Sequence, residues 1–267
     1  MQVIAPFYHR LLAAALLATP LSTFAQKADA PNTWAASPVK ADGRLDEWKN
    51  PLPHYNSDTR LFYDISNDGT NLYIAISSRD EITQYRIINA GLHVTINTAG
   101  KSKNGPGVTF PVIDQDALYD YRHTPALNYT PSPQEKAAQQ KLLFLHTSDI
   151  SVNGLKNVKD GNIPMQNEFG IQAAISNDNT GMLSMEIIIP LSRLEFPEEN
   201  EDKVVAFNFR LNKIDKKEAE KLKAESDKAA QAGGSSSGTP GPGSGYFNYV
   251  LGFESAFWTR QSLAKKI

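Results

Sequence analysis

Hydrophobic and polar residues alternate along much of this chain, and this alternation predicts β-strands. The stretches "NLYIAIS", "GLHVTIN" and "VVAFNFRLN", which begin at Asn71, Gly91 and Val204, place apolar residues at every second position. Such a period is typical of antiparallel strands with one face in a core and the other in water. "LSMEIIIPL", from Leu183, is more uniformly apolar, which predicts a strand covered on both faces.

Shorter patterns predict more strands and the turns between them. The sequence Ile-Ser-Asn-Asp-x-Thr occurs twice, and each copy separates two strand patterns. We expect both copies to form hairpin turns in which Asp68 and Asp178 accept backbone hydrogen bonds. Many short strands with turns between them are typical of an all-β sandwich or barrel. The further predicted strands are Leu61–Ile65, Val108–Val112, Leu142–Thr147, Ile171–Ser176 and Tyr246–Phe253.

Two segments interrupt the strand pattern. The first, Asp116–Gln140, contains several prolines and then a helix-forming stretch, and long loops of this kind are often functional. The second, Asp215–Gly245, begins with a charged helical sequence whose only large apolar residue is Leu222, so we expect no buried face. It ends in "GGSSSGTPGPGSG", a composition typical of flexible chain. We therefore expect one helical, partly disordered insertion that contributes little to stability.

The N-terminal residues predict export. Two charged or titratable residues precede the apolar run "LLAAALLATPL", and "STFAQ" follows with small residues at signal-peptidase spacing. The run is too short to span a bilayer, so we expect cleavage near Ala25 and no transmembrane segment in the mature chain. The expected organisation is a signal peptide over residues 1–25, an extension over 26–38 and a single domain over 39–267.

Composition excludes several classes of function. The chain has 267 residues, of which 40% are hydrophobic, with 27 basic and 29 acidic residues. A slightly acidic chain lacks the basic field that nucleic-acid backbones require. There is no cysteine, so thiolate chemistry and disulfides are excluded. No zinc, phosphate-loop or dinucleotide motif is present, and "GSSSG" lies in a low-complexity stretch, so an enzyme is not the favoured interpretation.

The stretch "VKADGRLDEWKN", from Val39 to Asn50, combines a turn dipeptide, two acidic residues and a tryptophan. We interpret Trp48 as a buried plug at one end of the sandwich, because large aromatic side chains are usually buried. Asp46 is then an acceptor for nearby backbone donors in a turn.

In order along the chain, five pieces resemble the family 9 carbohydrate-binding modules and the DOMON-like superfamily. They are "VKADGRLDEW", "LFYDISNDGTNLYIAISSRD", "GLHVTINTAGK", "LSMEIIIPLSRLEF" with "KVVAFNFRLN", and "LGFESAFW". The chain is also similar to exported proteins of the Bacteroidetes, including the signal ending "FAQ". The resemblance implies an antiparallel β-sandwich of noncatalytic, sugar-binding ancestry. It also implies calcium, for which the candidate ligands are Asp42, Asp46 and Glu47.

Family 9 modules hold a sugar ring between two tryptophans, and this chain departs from that pattern. Trp34, Trp48 and Trp258 do not stand as a pair at the family's positions. A tyrosine ring can also stack on a sugar. The nearest tyrosines form a cluster in the first insertion: Tyr119, Tyr121 and Tyr129.

The polar faces of two predicted strands suggest a binding surface. In "GLHVTIN" and "VVAFNFRLN" the apolar positions fix the core side, so the opposite side is also fixed. It carries amides, one arginine and one histidine, which offer donors and acceptors suited to sugar hydroxyls; a merely solvated face is the alternative. The candidates are His93, Thr95, Asn97, Asn208, Arg210 and Asn212, with Glu186 joining them if its strand turns Met185, Ile187 and Ile189 inward, and with Asp116–Gln140 as one wall.

The leader pattern predicts an exported, periplasmic or extracellular protein, and the resemblance implies a noncatalytic binding module for a saccharide or glycan-like ligand. The alternative is a protein-interaction or envelope-scaffold module that kept the fold without the sugar site. A glycan-active hydrolase is the third interpretation. Fold alone does not decide among them.

Overall fold

Two six-stranded sheets make up the framework of the protein. The computed structural model describes residues 32–122, 132–200, 202–232 and 245–266. The strands are β1 Thr33–Trp34, β2 His54–Asn56, β3 Leu61–Asn67, β4 Asn71–Ser78, β5 Leu92–Asn97, β6 Gly107–Ile113, β7 Thr147–Asn153, β8 Gly161–Pro164, β9 Gln172–Asn177, β10 Leu183–Pro190, β11 Val204–Leu211 and β12 Ser255–Ser262. The helices are α1 Glu81–Ala90, α2 Gln115–Arg122, α3 Pro133–Phe144, α4 Lys216–Ala232 and α5 Gly245–Val250, with a 3₁₀ turn at Leu191–Arg193.

The order of strands confirms the predicted antiparallel sandwich with a helical insertion. The first sheet has the order β1-β3-β4-β10-β9, with β2 also paired to β3. The second sheet has the order β12-β11-β5-β6-β7-β8. Among these described strands, every pair is antiparallel except β1 with β3. The parallel pair joins Thr33–Trp34, within the expected N-terminal extension, to Ser66 and Asn67.

The inner faces of the two sheets form the main core. Ile74 and Ile187 of the first sheet and Val94 and Phe207 of the second are fully buried there. Each such side chain stabilises the fold by about 1.5–3 kcal/mol relative to exposure. The alternation in the sequence therefore identified the core positions of these strands correctly.

The segment before β2 covers the outer face of the first sheet. Val39, Leu45 and Trp48 form a second cluster there with Tyr73 and Ile188. This explains why "LSMEIIIPL" is apolar on both faces, as predicted. Trp48 is buried as expected, but it lies on the outer face of a sheet and not at an end of the sandwich.

Two predicted strands are helices. Leu142–Thr147 was expected to be a strand, but α3 runs to Phe144 and β7 begins only at Thr147. Helix α3 starts with a capping box, in which Ser132 and Glu135 satisfy each other's backbone donors. Tyr246–Phe253 was also expected to be a strand, and it contains α5 followed by a turn. Burial of Phe247 and Leu251, four residues apart, favours the helix.

Helix α4 has a buried face, contrary to the expectation from its composition. Leu222 is only 7% exposed and clusters with Tyr85, Phe247 and Leu251, and Ala219 is buried too. A few apolar residues suffice because α1 and α5 supply the rest of this small core. Residues 233–244 of the same insertion lie outside the described residues, as does the expected leader, 1–25. No helix in the described ranges has the length and apolar character needed to cross a bilayer.

Candidate functional site

The two predicted polar rows lie side by side on the outer face of the second sheet. Strands β5 and β11 are neighbours, and their register places His93 opposite Arg210 and Thr95 opposite Asn208. Directly opposite residues of an antiparallel pair project from the same face. We call this surface, with the outward residues of the strands beside it, the polar face.

The polar face continues across both neighbouring strands. On one side, the register places Thr109 and Gly107 of β6 opposite His93 and Thr95. On the other side, Trp258 of β12 lies opposite Asn208. Beyond β6, strands β7 and β8 add further polar positions to the same face: Ser151, Asn153 and Asn162.

Trp258 was not expected to be part of the site. Its side chain is 37% exposed, and it stands on the edge strand directly beside Asn208. An exposed aromatic ring next to amide groups is a suitable surface for stacking a sugar ring. The signal was present in "SAFWTRQS", where Phe257 is inward-facing and Trp258 outward-facing, but the pattern expected of a sugar site was a pair of tryptophans, which Trp258 does not complete.

His93 is the most perturbed titratable group of the polar face. Its Nδ1 lies 2.8 Å from Thr109 Oγ1. Burial, together with a smaller effect of the nearby Arg210 guanidinium, lowers the pKa of the imidazole to about 4. His93 is therefore neutral near pH 7, and it offers one donor and one acceptor nitrogen. Gly107 is needed beneath it, because a Cβ there would lie 2.5 Å from His93 Nε2.

The amides of the face are held in place by backbone groups. Asn208 Nδ2 donates to Phe257 O at 3.0 Å, which ties β11 to β12. Asn97 Nδ2 donates to Asn104 O at 3.0 Å, and Asn97 Oδ1 accepts from Lys101 N. Arg210 Nε donates to Asn212 Oδ1 at 3.2 Å. Groups fixed in this way lose little further entropy when a ligand binds.

Glu186 does not join the polar face. Met185, Ile187 and Ile189 do turn inward, but β10 belongs to the first sheet, so Glu186 lies on the opposite side of the molecule. Its carboxylate accepts from the backbone of Asp42 and Gly43 and from the indole of Trp48, as described below. Alternation predicts which residues share a face of a strand, but it does not predict which sheet the strand joins.

Tyr121 of the first insertion is also separate from the polar face. Tyr121 packs against Tyr85 of α1, with ring centroids 6.1 Å apart. Helix α3 packs beside β9, the edge strand of the first sheet, and Asn177 Nδ2 donates a hydrogen bond to Gln140 Oε1 there. The described part of the insertion thus lies beside α1 and β9 and is not a wall of the polar face. Tyr119 is exposed on α2, and Tyr129 lies outside the described residues.

The three acidic residues of the opening stretch are not arranged as a metal site. Asp42 Oδ1 accepts from Arg44 N at 2.9 Å, and Asp46 forms an ion pair of 2.9 Å with Arg44 Nη2. All three side chains, Glu47 included, are exposed. In the part of the chain that the structure describes, no group of three acidic or histidine side chains is placed to hold a metal ion. The turn acceptor is therefore Asp42 and not Asp46.

Comparison with known proteins gives one distant structural likeness to report. No family model matches the chain, and no curated protein matches it. Among solved structures, the chain is similar to a carbohydrate binding module family 9 (CBM9) from Caldicellulosiruptor kristjanssonii in complex with glucose. The identity is 12% and the TM-score 0.32, over 70% of this chain and 80% of that one.

Proposed function

We propose that the polar face binds a saccharide and that the protein is a noncatalytic binding module. The observation that carries the proposal is the position of Trp258, an exposed ring directly opposite Asn208, which in turn lies opposite Thr95 on the next strand. The ring offers an apolar surface for the C–H groups of a sugar, and the amides, His93 and Arg210 offer partners for its hydroxyls.

The form of the face supports a ligand longer than one sugar ring. The polar positions run across all six strands of the sheet, from exposed Trp258 at one edge to Asn162 at the other, and His93, Thr95 and Asn208 between them are nearly buried. A row of that length extends beyond a single sugar ring and suits a chain of several. We therefore propose internal segments of a glycan as the ligand class.

A glycan array tests this proposal. The wild-type protein should bind at least one class of glycan, and Trp258→Ala and Arg210→Ala should each weaken that binding by about tenfold or more, in line with the loss of one good contact. Tyr55→Ala is the matched control, because Tyr55 is an exposed aromatic on β2 of the other sheet. Equal binding by wild type and Trp258→Ala would refute the assignment of the face, provided that thermal melts show both to be folded.

Export is part of the same proposal. The leader-like residues 1–25 support it through their apolar run and small residues before Gln26. Mass spectrometry of the protein from envelope or culture fractions should find a start at or near Gln26. Recovery there of a chain that retains Met1 would contradict cleavage.

A protein-interaction module is the second candidate, and exposed aromatics on one side of the molecule favour it. Tyr246, Tyr249 and Phe253 are each about half exposed, and the rings of Tyr249 and Phe253 are 5.0 Å apart. Exposed aromatic groups of this kind are enriched in interfaces. If the array finds no glycan, cross-linking in cells of wild type against a Tyr249→Ser, Phe253→Ser variant tests this second role.

A further inference from the structure

A cleft lies at the edge where the two sheets meet, on the inner side of β12. Asn32 N donates to Ser262 O at 3.0 Å and closes one end of this edge. The cleft has a volume of about 880 Å³, within the range of small-molecule sites. Its walls come from the segment before β2, from β3 and from β12.

Two buried side chains in the wall have polar atoms without partners. Gln261 is only 3% exposed, and its Oε1 accepts no hydrogen bond. Asn32 is 7% exposed, and although its Oδ1 accepts from Ala264 N at 2.6 Å, its Nδ2 donates to nothing. A buried polar group left unsatisfied costs about 1–3 kcal/mol. Among the described residues these two atoms have no partner, and both are buried in the wall of the cleft. A bound molecule that draws either side chain toward the cleft would therefore supply the missing partner.

A buried carboxyl lines the same cleft. Asp64 is on β3, and its Oδ1 accepts from Ile65 N at 2.9 Å. Burial raises the pKa of Asp64, and the Ile65 hydrogen bond and the nearby His54 and Lys49 lower it by less. A desolvated carboxyl of this kind is stabilised by a ligand that donates hydrogen bonds to it.

We propose that this cleft binds one small polyhydroxylated molecule of about monosaccharide size. A ligand there must donate to Asp64 and to Gln261 Oε1, and it must accept from Asn32 Nδ2. A hydroxyl group does both, whereas an ammonium group cannot accept and an anion would meet the Asp64 carboxyl. Trp34 adds an aromatic wall against which the C–H face of a ring can pack.

This site is separate from the polar face. Side chains alternate along β12, so Trp258 faces outward while Gln261 lies on the cleft side. The inference therefore does not rest on the function proposed for the polar face, and either can fail alone.

Tryptophan fluorescence gives a direct test in the Trp258→Ala variant. The sequence has three tryptophans, and the two that remain, Trp34 and Trp48, both line the cleft. Glucose, galactose, mannose, N-acetylglucosamine and myo-inositol would each be titrated in turn. At least one should give a saturable change in emission, with an apparent Kd that calorimetry reproduces.

Variants of the lining residues then decide between a ligand site and a water-filled recess. Gln261→Met keeps the side-chain length and should raise that Kd about tenfold, as should Asp64→Asn, since each removes a hydrogen bond to the ligand. Gln261→Met should not lower the melting temperature, because its amide oxygen has no protein partner. Gln172→Met, at the exposed first position of β9, is the control and should leave the Kd unchanged. No saturable change with any probe, or the same Kd in all four proteins, would overturn the inference.

Discussion

The indole Nε1 of Trp48 donates a 2.8 Å hydrogen bond to Glu186 Oε1, although 138 residues separate the two in the chain. The other carboxylate oxygen, Oε2, accepts from Gly43 N at 3.0 Å and from Asp42 N at 3.1 Å. One fully buried side chain on β10 thus holds two points of the opening stretch against the first sheet.

We expect Trp48 substitutions to separate packing from hydrogen bonding. Trp48→Ala should lower the free energy of unfolding by about 3–5 kcal/mol, the usual cost of truncating a buried aromatic. Trp48→Phe keeps most of the ring but leaves Glu186 Oε1 without its donor, so a loss of about 1–3 kcal/mol is expected. Urea unfolding at pH 7 measures both values.

Trp258→Ala is the matched control for that series. Its side chain is exposed on an edge strand, so the loss should stay below about 1 kcal/mol. A Trp48→Phe protein as stable as wild type would show that the hydrogen bond to Glu186 contributes no net stability.

Stability should depend on pH through two buried groups with opposite effects. Burial raises the pKa of Glu186 from 4.5 to about 7, so its contribution is present below pH 4.5 and is lost as the pH rises through 7. The pKa of His93 is lowered from 6.5 to about 4, so its contribution is present above pH 6.5 and is lost as the pH falls through 4. Each slope is at most about 1.4 kcal/mol per pH unit.

Replacing one of these two groups should reveal the pH dependence of stability that the other contributes between about pH 4.5 and 6.5. In Glu186→Gln the stability should rise with pH more steeply than in wild type, because Glu186 no longer opposes the His93 effect. The raised pKa of Asp64 also opposes it, but Asp64 is present in all three proteins and so does not alter the comparison. In His93→Asn it should fall more steeply as the pH rises. The lowered carboxyl pKa values of Asp68, Asp80 and Asp178 act below 3.8 and do not affect this window. Parallel curves of unfolding free energy for all three proteins would contradict the assignment.

Helix α4 should matter for stability despite its charged sequence. Leu222→Ala removes a nearly buried side chain from the cluster around Tyr85 and Phe247, and we expect a loss of about 2–5 kcal/mol. Lys217→Ala, on the exposed side of the same helix, should change the unfolding free energy by less than about 0.5 kcal/mol. If both variants melt at the wild-type temperature, the helix is not docked in solution.

The parts of the fold that sequence predicts well are those governed by local pattern. Alternation identified the central strands, and the repeated Ser-Asn-Asp segment identified two turns. In these turns Asp68 Oδ1 accepts from Thr70 N and Asn71 N, and Asp178 Oδ1 accepts from Met182 N. Both the pleat and the turn depend on neighbours within a few residues, which the sequence displays directly.

The parts that it predicts poorly depend on distant partners. Glu186 looks like any outward residue of a strand, and only the covering segment from Asp42 to Trp48 makes it buried. Leu222 is a single apolar residue in a charged helix, and its burial requires α1 and α5. The polar face was partly predictable because it depends on local pattern. His93 and Arg210 lie on strands with strong alternation, and their pairing only required these two strands to be neighbours.

That pairing gives a last prediction, on the charge of the polar face. Arg210 lies directly opposite His93, and its guanidinium adds to the effect of burial in lowering the histidine pKa. Arg210→Met keeps an apolar stem of similar length and removes the charge, so the pKa of His93 should rise above about 4 while burial still keeps it below 6.5. An NMR titration of the histidine ring signals measures this shift.

Arg260→Met, on the neighbouring strand of the same face, is the control and should leave the His93 pKa within error of wild type, because Arg260 is paired with Ala206 and not with His93. An unchanged pKa in Arg210→Met would show that the guanidinium points away from the imidazole, and Arg210 would then not be available beside His93 to share a ligand with it.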